Sequence, residues 1–447
     1  MTKPANLRTV HAYMEATMIK RLLPLLFILL STPAYATAYY VCDTTENTGS
    51  DSNDGSLSTP WLTMDKALAE IDTLSGGDTL SFCEGFTGTS TADNIIASTG
   101  SCSNATPCTI NTYTPAGQDA GDDGVKPTLT NTTYDVLKFD GAILEDGGYV
   151  FDSLHLIGGS STDCVNIVDG FSNLTLDTIT YDSCAIGVDI EVVADEVSVN
   201  VDVIDGTWTD VADFGYRGSA SRSVVEGGTM TDVGNSASDH AFLLQGIDTS
   251  DFTIRNINIT DTAHVSTACS SPVIQGEGSF RGLYFDEVHI NETKATAAAE
   301  CIGILLDPDF GAEAANFNYV LFSKVTVAWP GANAIACSNC TNITGEHNII
   351  IGDATVTDAI KIPYTTESTT SNYASFYKTY IVLIDNDTGR TAINIDTVKG
   401  NLTKNQVFLN DTDDVCWNIN STLTLDDNIC KNAVVGGLDD STNWTIN

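Results

Sequence analysis

Apolar (h) and other (x) residues recur along this chain in the spacing h-x-h-x-x-h-x-h. The template appears as Tyr149, Phe151, Leu154, Leu156 and again as Leu174, Leu176, Ile179, Tyr181. It returns as Phe252, Ile254, Ile257, Ile259, as Leu283, Phe285, Val288, Ile290, and as Val320, Phe322, Val325, Val327. Degraded copies sit at Val199, Val201, Ile204 and between Val225 and Met230. Alternate residues of a strand share one face, so each h-x-h predicts a short strand with a single buried side. The extra residue in h-x-x-h turns a corner while both strands keep facing the same interior.

A second series opens each unit: Cys164-Val-Asn-Ile, Ala185-Ile-Gly-Val, Ala241-Phe-Leu-Leu, Cys301-Ile-Gly-Ile, Ala359-Ile-Lys-Ile and Ala392-Ile-Asn-Ile. Origins at 241, 272, 301, 334, 359 and 392 give units of 25 to 33 residues. Periods of that size mean stacked units sharing one core, hence one long domain rather than two or three globular ones. Short β-branched strands rich in Thr, Asn, Asp and Gly make the stack a β-solenoid, and the L-x-x-L-x-L signature of leucine-rich repeats is absent. Only Thr63 to Leu74 reads as a helix, with Met64, Ala67, Leu68 and Ile71 at i, i+3, i+4 and i+7. It sits where a solenoid needs its end capped.

Met18-Ile19-Lys20-Arg21, the apolar run Leu22 to Leu30, and Pro33-Ala34-Tyr35-Ala36-Thr37-Ala38 form the three parts of a secretory signal peptide. Translation is expected to start at Met18, with cleavage after Ala36 or Ala38. The apolar run is far short of the ~20 residues that span a bilayer, and no other stretch is long enough, so membrane insertion is not expected. The expected compartment is periplasmic or extracellular. All 12 cysteines lie beyond the cleavage site, and an even number in an exported chain predicts disulfides. Local partners are Cys102 with Cys108, Cys164 with Cys184, Cys269 with Cys301, and Cys416 with Cys430. Cys337-Ser-Asn-Cys340 lacks a second CxxC and predicts a local bridge rather than zinc or redox chemistry. With 59 acidic against 19 basic residues, the net charge of −40 repels nucleic acid and anionic membrane. It also repels polyanionic sugars unless cations such as calcium bridge the contact. Calcium is the one cofactor left open. Asp51, Asn53 and Asp54 resemble a calcium loop, but the glycine arrives one residue early and a polar turn is the preferred reading.

Gly49-Ser-Asp51-Ser-Asn53-Asp54-Gly55, then Pro60-Trp61-Leu-Thr63 and Ala67, then Gly77-Asp78-Thr79-Leu80, resembles the opening of secreted β-helix proteins of the pectate-lyase-like superfamily. The resemblance implies a single-stranded right-handed parallel β-helix. Residues 39–90 would supply the first strand and capping helix, and 91–447 the coils. It implies little about chemistry, because the superfamily holds lyases, hydrolases, epimerases and proteins without known activity.

In that superfamily, sugar chains lie in a groove along the strand that opens each turn. With Ala185, Asp213 and Ala241 as first residues, the outward fifth positions are Asp189, Arg217 and Gln245. Later turns add Gln275, Glu277, Asp307 and Asp309. Arg217, Arg222, Arg255 and Arg281 form a basic island in an acidic chain, and His240 offers a side chain that titrates near neutrality. Asp189, Arg217 and His240 are therefore the candidate catalytic residues, and Gln245, Gln275, Glu277, Asp307 and Asp309 the candidate substrate-binding ones. Arg255, Asp286, Asp177 and Glu226 read instead as a surface ladder of opposite charges. The G-H-G and R-x-K segments of polygalacturonases are missing. The expected function is a secreted protein that binds an extracellular polysaccharide and cleaves it by elimination or hydrolysis. The alternative is a non-catalytic adhesin or matrix solenoid.

Overall fold

The computed structural model describes residues 36–438, apart from 44–48, 98–100, 115–124, 141–146, 169, 192–197, 235–238, 262–263, 266–267, 270, 293–295, 298–300, 308–315, 330–331, 353–357, 363–370, 384–389, 396, 411–413, 420–421 and 435–436. The signal segment and Asp309 lie outside the described residues. The rest is a right-handed parallel β-helix.

Each coil contributes three strands, and each strand pairs in parallel with its equivalents in the coils before and after. Leu174–Asp177, for instance, pairs with Tyr149–Asp152 on one side and Val201–Ile204 on the other. The two strands of the h-x-h-x-x-h-x-h template hold as read: Tyr149, Phe151, Leu154 and Leu156 are all buried, as are their counterparts in later coils. Stacking places like side chains over like. Phe280 lies on Phe317, and Phe285 on Phe322, with interplanar angles of 7°.

The corner inside the template has a distinct backbone. Ser153, Thr178, Asp205, Gly227, Asn256, Glu287, Lys324, His347, Lys378, Lys404 and Asp427 occupy it in successive coils, all with φ between 49° and 72°. Only a left-handed residue bends the chain sharply enough for both strands to face inward. For a residue with a Cβ that conformation costs roughly 1–2 kcal/mol. Coil-to-coil hydrogen bonds continue through the bend, as in Lys378 N–H to the Thr403 carbonyl at 3.1 Å and Lys404 N–H to Asp426 at 2.9 Å.

The register corrects the origins of the opening series. Val165 pairs with Val188, Val188 with Tyr216, and Tyr216 with Phe242, so Cys164 stands over Gly187, Gly215 and Ala241. The small residue that defines the column is therefore Gly187, not Ala185, and Gly303, not Cys301. A Cβ on Gly187 would come within 2.4 Å of the Trp208 ring, which explains why small residues hold this column. From 241 the origins run 273, 303, 334, 359 and 392.

At the N-terminal end, Met64–Ile71 is a helix that buries Met64, Ala67, Leu68 and Ile71, with Thr63 Oγ1 accepting the Lys66 N–H at its start. Asp51 holds that start by accepting from Leu62 N, Thr63 N and Thr63 Oγ1 at 2.7–3.0 Å. The Asp51 carboxylate thus serves the polar turn preferred over a calcium loop. Gly55, at φ 76°, lies flat against the Trp61 ring. Disulfides join Cys102–Cys108, Cys164–Cys184, Cys337–Cys340 and Cys416–Cys430 as expected. A further bridge, Cys42–Cys83, ties the first strand to the first coil and was not foreseen. Cys301 is disulfide-bonded, and the side chain of its expected partner Cys269 lies outside the described residues. Among the described residues, no helix is long and apolar enough to cross a membrane.

Candidate functional site

The opening strands lie side by side from Leu137–Asp140 through Val165–Val168, Ile186–Ile190 and Phe214–Arg217 into the strand that begins at His240. Two columns on this face carry the chemistry. One runs Lys138, Asn166, Asp189, Arg217, Leu243, Gln275. The other lies three residues earlier in each coil and runs Asp135, Asp163, Ile186, Phe214, His240.

Asp189 and Arg217 meet as expected. Arg217 grips the Asp189 carboxylate with two donors, Nε at 2.7 Å and Nη2 on the other oxygen. Asp189 is 1% exposed, whereas the Arg217 side chain is 35% exposed. The fork fixes the carboxylate and leaves part of the guanidinium facing solvent. Its bond to Asp189 raises the Arg217 pKa further, so Arg217 stays a cation and is not the base it could have been.

Asp163, half-buried, hydrogen-bonds Asp189. Burial, followed by the negative charges of Asp189 and Asp135, pushes its pKa up to about 8. At neutral pH Asp163 is thus a carboxylic acid beside a carboxylate held by arginine. Asp135, one coil before, accepts from the Asp163 N–H and from Asn166 Nδ2, both at 2.9 Å. Asn166 Nδ2 also donates to Glu191 at 3.3 Å.

His240 belongs to the same group through an aromatic bridge. The Arg217 guanidinium lies 5.8 Å from the Phe214 ring centre, and His240 stacks on Phe214, also at 5.8 Å. His240 Nδ1 donates to the Pro272 carbonyl at 2.6 Å, which fixes the tautomer and leaves Nε2 as the accepting nitrogen. Burial lowers its pKa, so it is neutral at pH 7. Asp213, whose pKa rises through burial and then Asp239, stands near but does not pair with Arg217 in an ion bridge.

Gln245 is not in the column of Arg217. The partner of Arg217 in the next coil is Leu243. Ala241, read as equivalent to Ala185, belongs two positions later, with Gly187 and Gly215, and every residue after it shifts accordingly. Gln245 pairs in register with Glu277, and Asp307 follows Leu306, the partner of Gly276. Gln245 Nε2 and Gln275 Nε2 both donate to the Glu277 carboxylate, at 3.1 and 2.6 Å. These three form a second polar group, separated from Arg217 by the buried Leu243. Arg255 and Arg281 stand apart from the site. Arg255 is in register between Glu226 and Asp286 and bridges Glu226, which is the surface ladder expected.

Asp135 and Asp163 escaped the sequence reading, although a signal was there. Asp135-Val-Leu-Lys-Phe and Asp163-Cys-Val-Asn-Ile repeat one acid at the same distance before an opening strand.

No protein-family model and no curated protein matches the chain. Among solved structures, the GH136 lacto-N-biosidase from Eubacterium ramulus is 12% identical, with 78% of this chain and 68% of that one covered and a TM-score of 0.43. The alginate lyase from Paenibacillus sp. is 12% identical over 80% and 97%, with a TM-score of 0.40. XylC in complex with xylose is 10% identical over 90% and 88%, with a TM-score of 0.48. The parallel β-helix that the resemblance implied rests on the strand pairing described above, and identities this low carry no residue of those proteins onto a residue here.

Proposed function

We propose that this is a secreted carbohydrate-active protein that binds a polysaccharide along the opening-strand face and cleaves it by acid-assisted hydrolysis. The observation that carries the reading is the Asp163–Asp189–Arg217 group, in which a carboxyl whose pKa is pushed up to about 8 stands against one forked by arginine on a partly open face. Glycoside hydrolysis needs one carboxyl that keeps its proton for the leaving oxygen and a second that is ionised. Asp163 fills the first role. Asp135, one coil away on the same column, is assigned the second. Asp189 keeps the Asp163 proton in place, and the exposed edge of Arg217 offers donors to sugar oxygens. Gln245, Gln275 and Glu277 extend the face toward later coils as binding groups.

Hydrolysis is favoured over elimination because elimination at this face would need Arg217 or His240 as base. Arg217 is locked as a cation, and His240 is 6% exposed with one nitrogen committed to Pro272. The disulfides agree with an oxidising compartment, and so with export.

Purified protein screened against a polysaccharide panel tests this directly. New reducing ends without ultraviolet-absorbing unsaturated products are expected. Unsaturated products would replace hydrolysis by elimination, and binding without turnover would favour the adhesin.

A further inference from the structure

We propose that a second groove, at the left-handed corner of the late coils, binds an anionic glycan lying along the helix axis. The groove, of about 580 Å³, is lined by His347, Lys378, Tyr380, Lys404, Gln406 and Asp427 among others. His347, Lys378 and Lys404 are exposed and occupy one column on three successive coils. Earlier corners of that column carry Ser153, Thr178, Asp205, Gly227, Asn256 and Glu287, none of them basic. The first cation in the column, Lys324, is neutralised by Glu287 at 2.6 Å. Lys378 and Lys404 make no ion pair among the described residues. In a chain of net charge −40, two lysines thus face a groove whose lining carries a single carboxylate, Asp427.

Spacing and chemistry define the ligand. Successive coils rise by ~4.8 Å, on the order of one sugar unit, so a chain parallel to the axis presents one acidic group to each cation in turn. Tyr380, 39% exposed, packs its ring on Phe408 at 5.2 Å and gives a flat apolar platform for a sugar face. Lys378 lies 5.0 Å from the Tyr377 ring centre, and His347 meets the same ring edge-on, so both side chains are held near the groove. The denser charge of a nucleic acid would be repelled by the acidic remainder of the protein before two lysines compensated it. Carboxylate and sulfate satisfy the cations alike, so the ligand class is an acidic oligosaccharide of about three units.

The site stands independently of the hydrolysis reading, and calorimetric titration separates them. The intact protein carrying Asp163→Asn, so that no ligand is consumed, is titrated with tetragalacturonate, a sulfated chondroitin tetrasaccharide and uncharged cellotetraose. At least one acidic ligand should bind, about tenfold or more tighter than cellotetraose, and more weakly as salt rises. Whichever binds identifies the anion. Adding Lys378→Gln and Lys404→Gln together should weaken it by about tenfold or more, with the circular dichroism spectrum unchanged. Unaltered binding by that variant, equal binding of cellotetraose, no binding of either acidic ligand, or displacement by single-stranded DNA at equal concentration would each overturn the proposal.

Discussion

The coils from Asp135 to Arg217 and those from Asn342 to Asn428 share one winding and put their polar side chains to opposite uses. In the early coils the residue just after the left-handed corner is apolar and buried, as with Leu154 and Ile179, and the notable polar groups lie on the opening face. In the late coils that inner position becomes Asn348, Thr379, Asn405 and Asn428. Asn348 Oδ1 accepts from Val325 N at 3.0 Å, Asn405 Oδ1 from Thr379 N at 2.9 Å, and Asn428 Oδ1 from Asn405 N at 2.9 Å. The amides point inward and satisfy backbone donors, so they stabilise. The early carboxyls are crowded together on the opening face, and burial with its acidic neighbours pushes the Asp163 pKa up, so the group costs stability and offers chemistry. A buried amide that accepts a backbone N–H serves the fold, and a crowded group of carboxyls on the opening face marks function.

The largest expected effect concerns the early coils. Asp163→Asn should lower turnover on a cleaved substrate by about 10²–10⁴-fold, the usual contribution of a positioned general acid, measured as initial rates of reducing-end release. It should not destabilise. The folded protein holds the Asp163 proton up to about pH 8, whereas the unfolded chain releases it near 3.8. The folded state therefore binds more protons in that window, and stability falls as pH rises through it. Asp163→Asn removes this fall, so the parent protein's midpoint in urea should decline from pH 4 to 8 more steeply than the variant's. Parallel pH profiles would mean that Asp163 carries no unusual proton.

The late coils should answer in the opposite sense. Asn405→Ala leaves Thr379 N and the Phe376 carbonyl without their side-chain partner, while Asn428 Oδ1 keeps the backbone N–H of residue 405. A loss of about 2–4 kcal/mol is expected from urea denaturation, with rates per folded molecule unchanged. A loss of activity without a loss of stability would erase the contrast between the two regions.

The smallest effect sits at the corner itself. Thr178 is β-branched and held at φ 54°, where such residues rarely go. Thr178→Gly should raise stability by about 0.5 kcal/mol, relief at the bend outweighing the added freedom of the unfolded chain. A destabilised variant would show that side-chain packing, not backbone geometry, governs that column.

The coils were legible because a buried face leaves a period of two and the corner adds one residue, both visible in Tyr149 to Leu156. The left-handed column was not, since its occupants range from Ser153 to Lys404 and share a backbone conformation rather than a composition. Asn348, Asn405 and Asn428 drew no notice in the sequence, because spacing alone does not separate an amide facing a core from one facing water. Asp189 and Arg217 were placed correctly because Ala185 and Asp213 are true equivalents. Gln245 slipped by two positions because the small column is glycine at 187 and 215 but alanine at 241. Asp163 went unnoticed since its distinction lies in which carboxyls surround it, and that is a property of stacked coils.

One proton, that of Asp163, decides whether the opening face can act as an acid. Carbon-13 NMR titration of aspartate carboxyls in the parent protein and in Asp163→Asn reads it without knowledge of the substrate. One carboxyl should titrate near pH 8 in the parent and be absent from the variant. If every aspartate in the parent is ionised by pH 6, Asp163 is no acid at neutral pH, and the opening face does not hydrolyse glycosides in the way proposed.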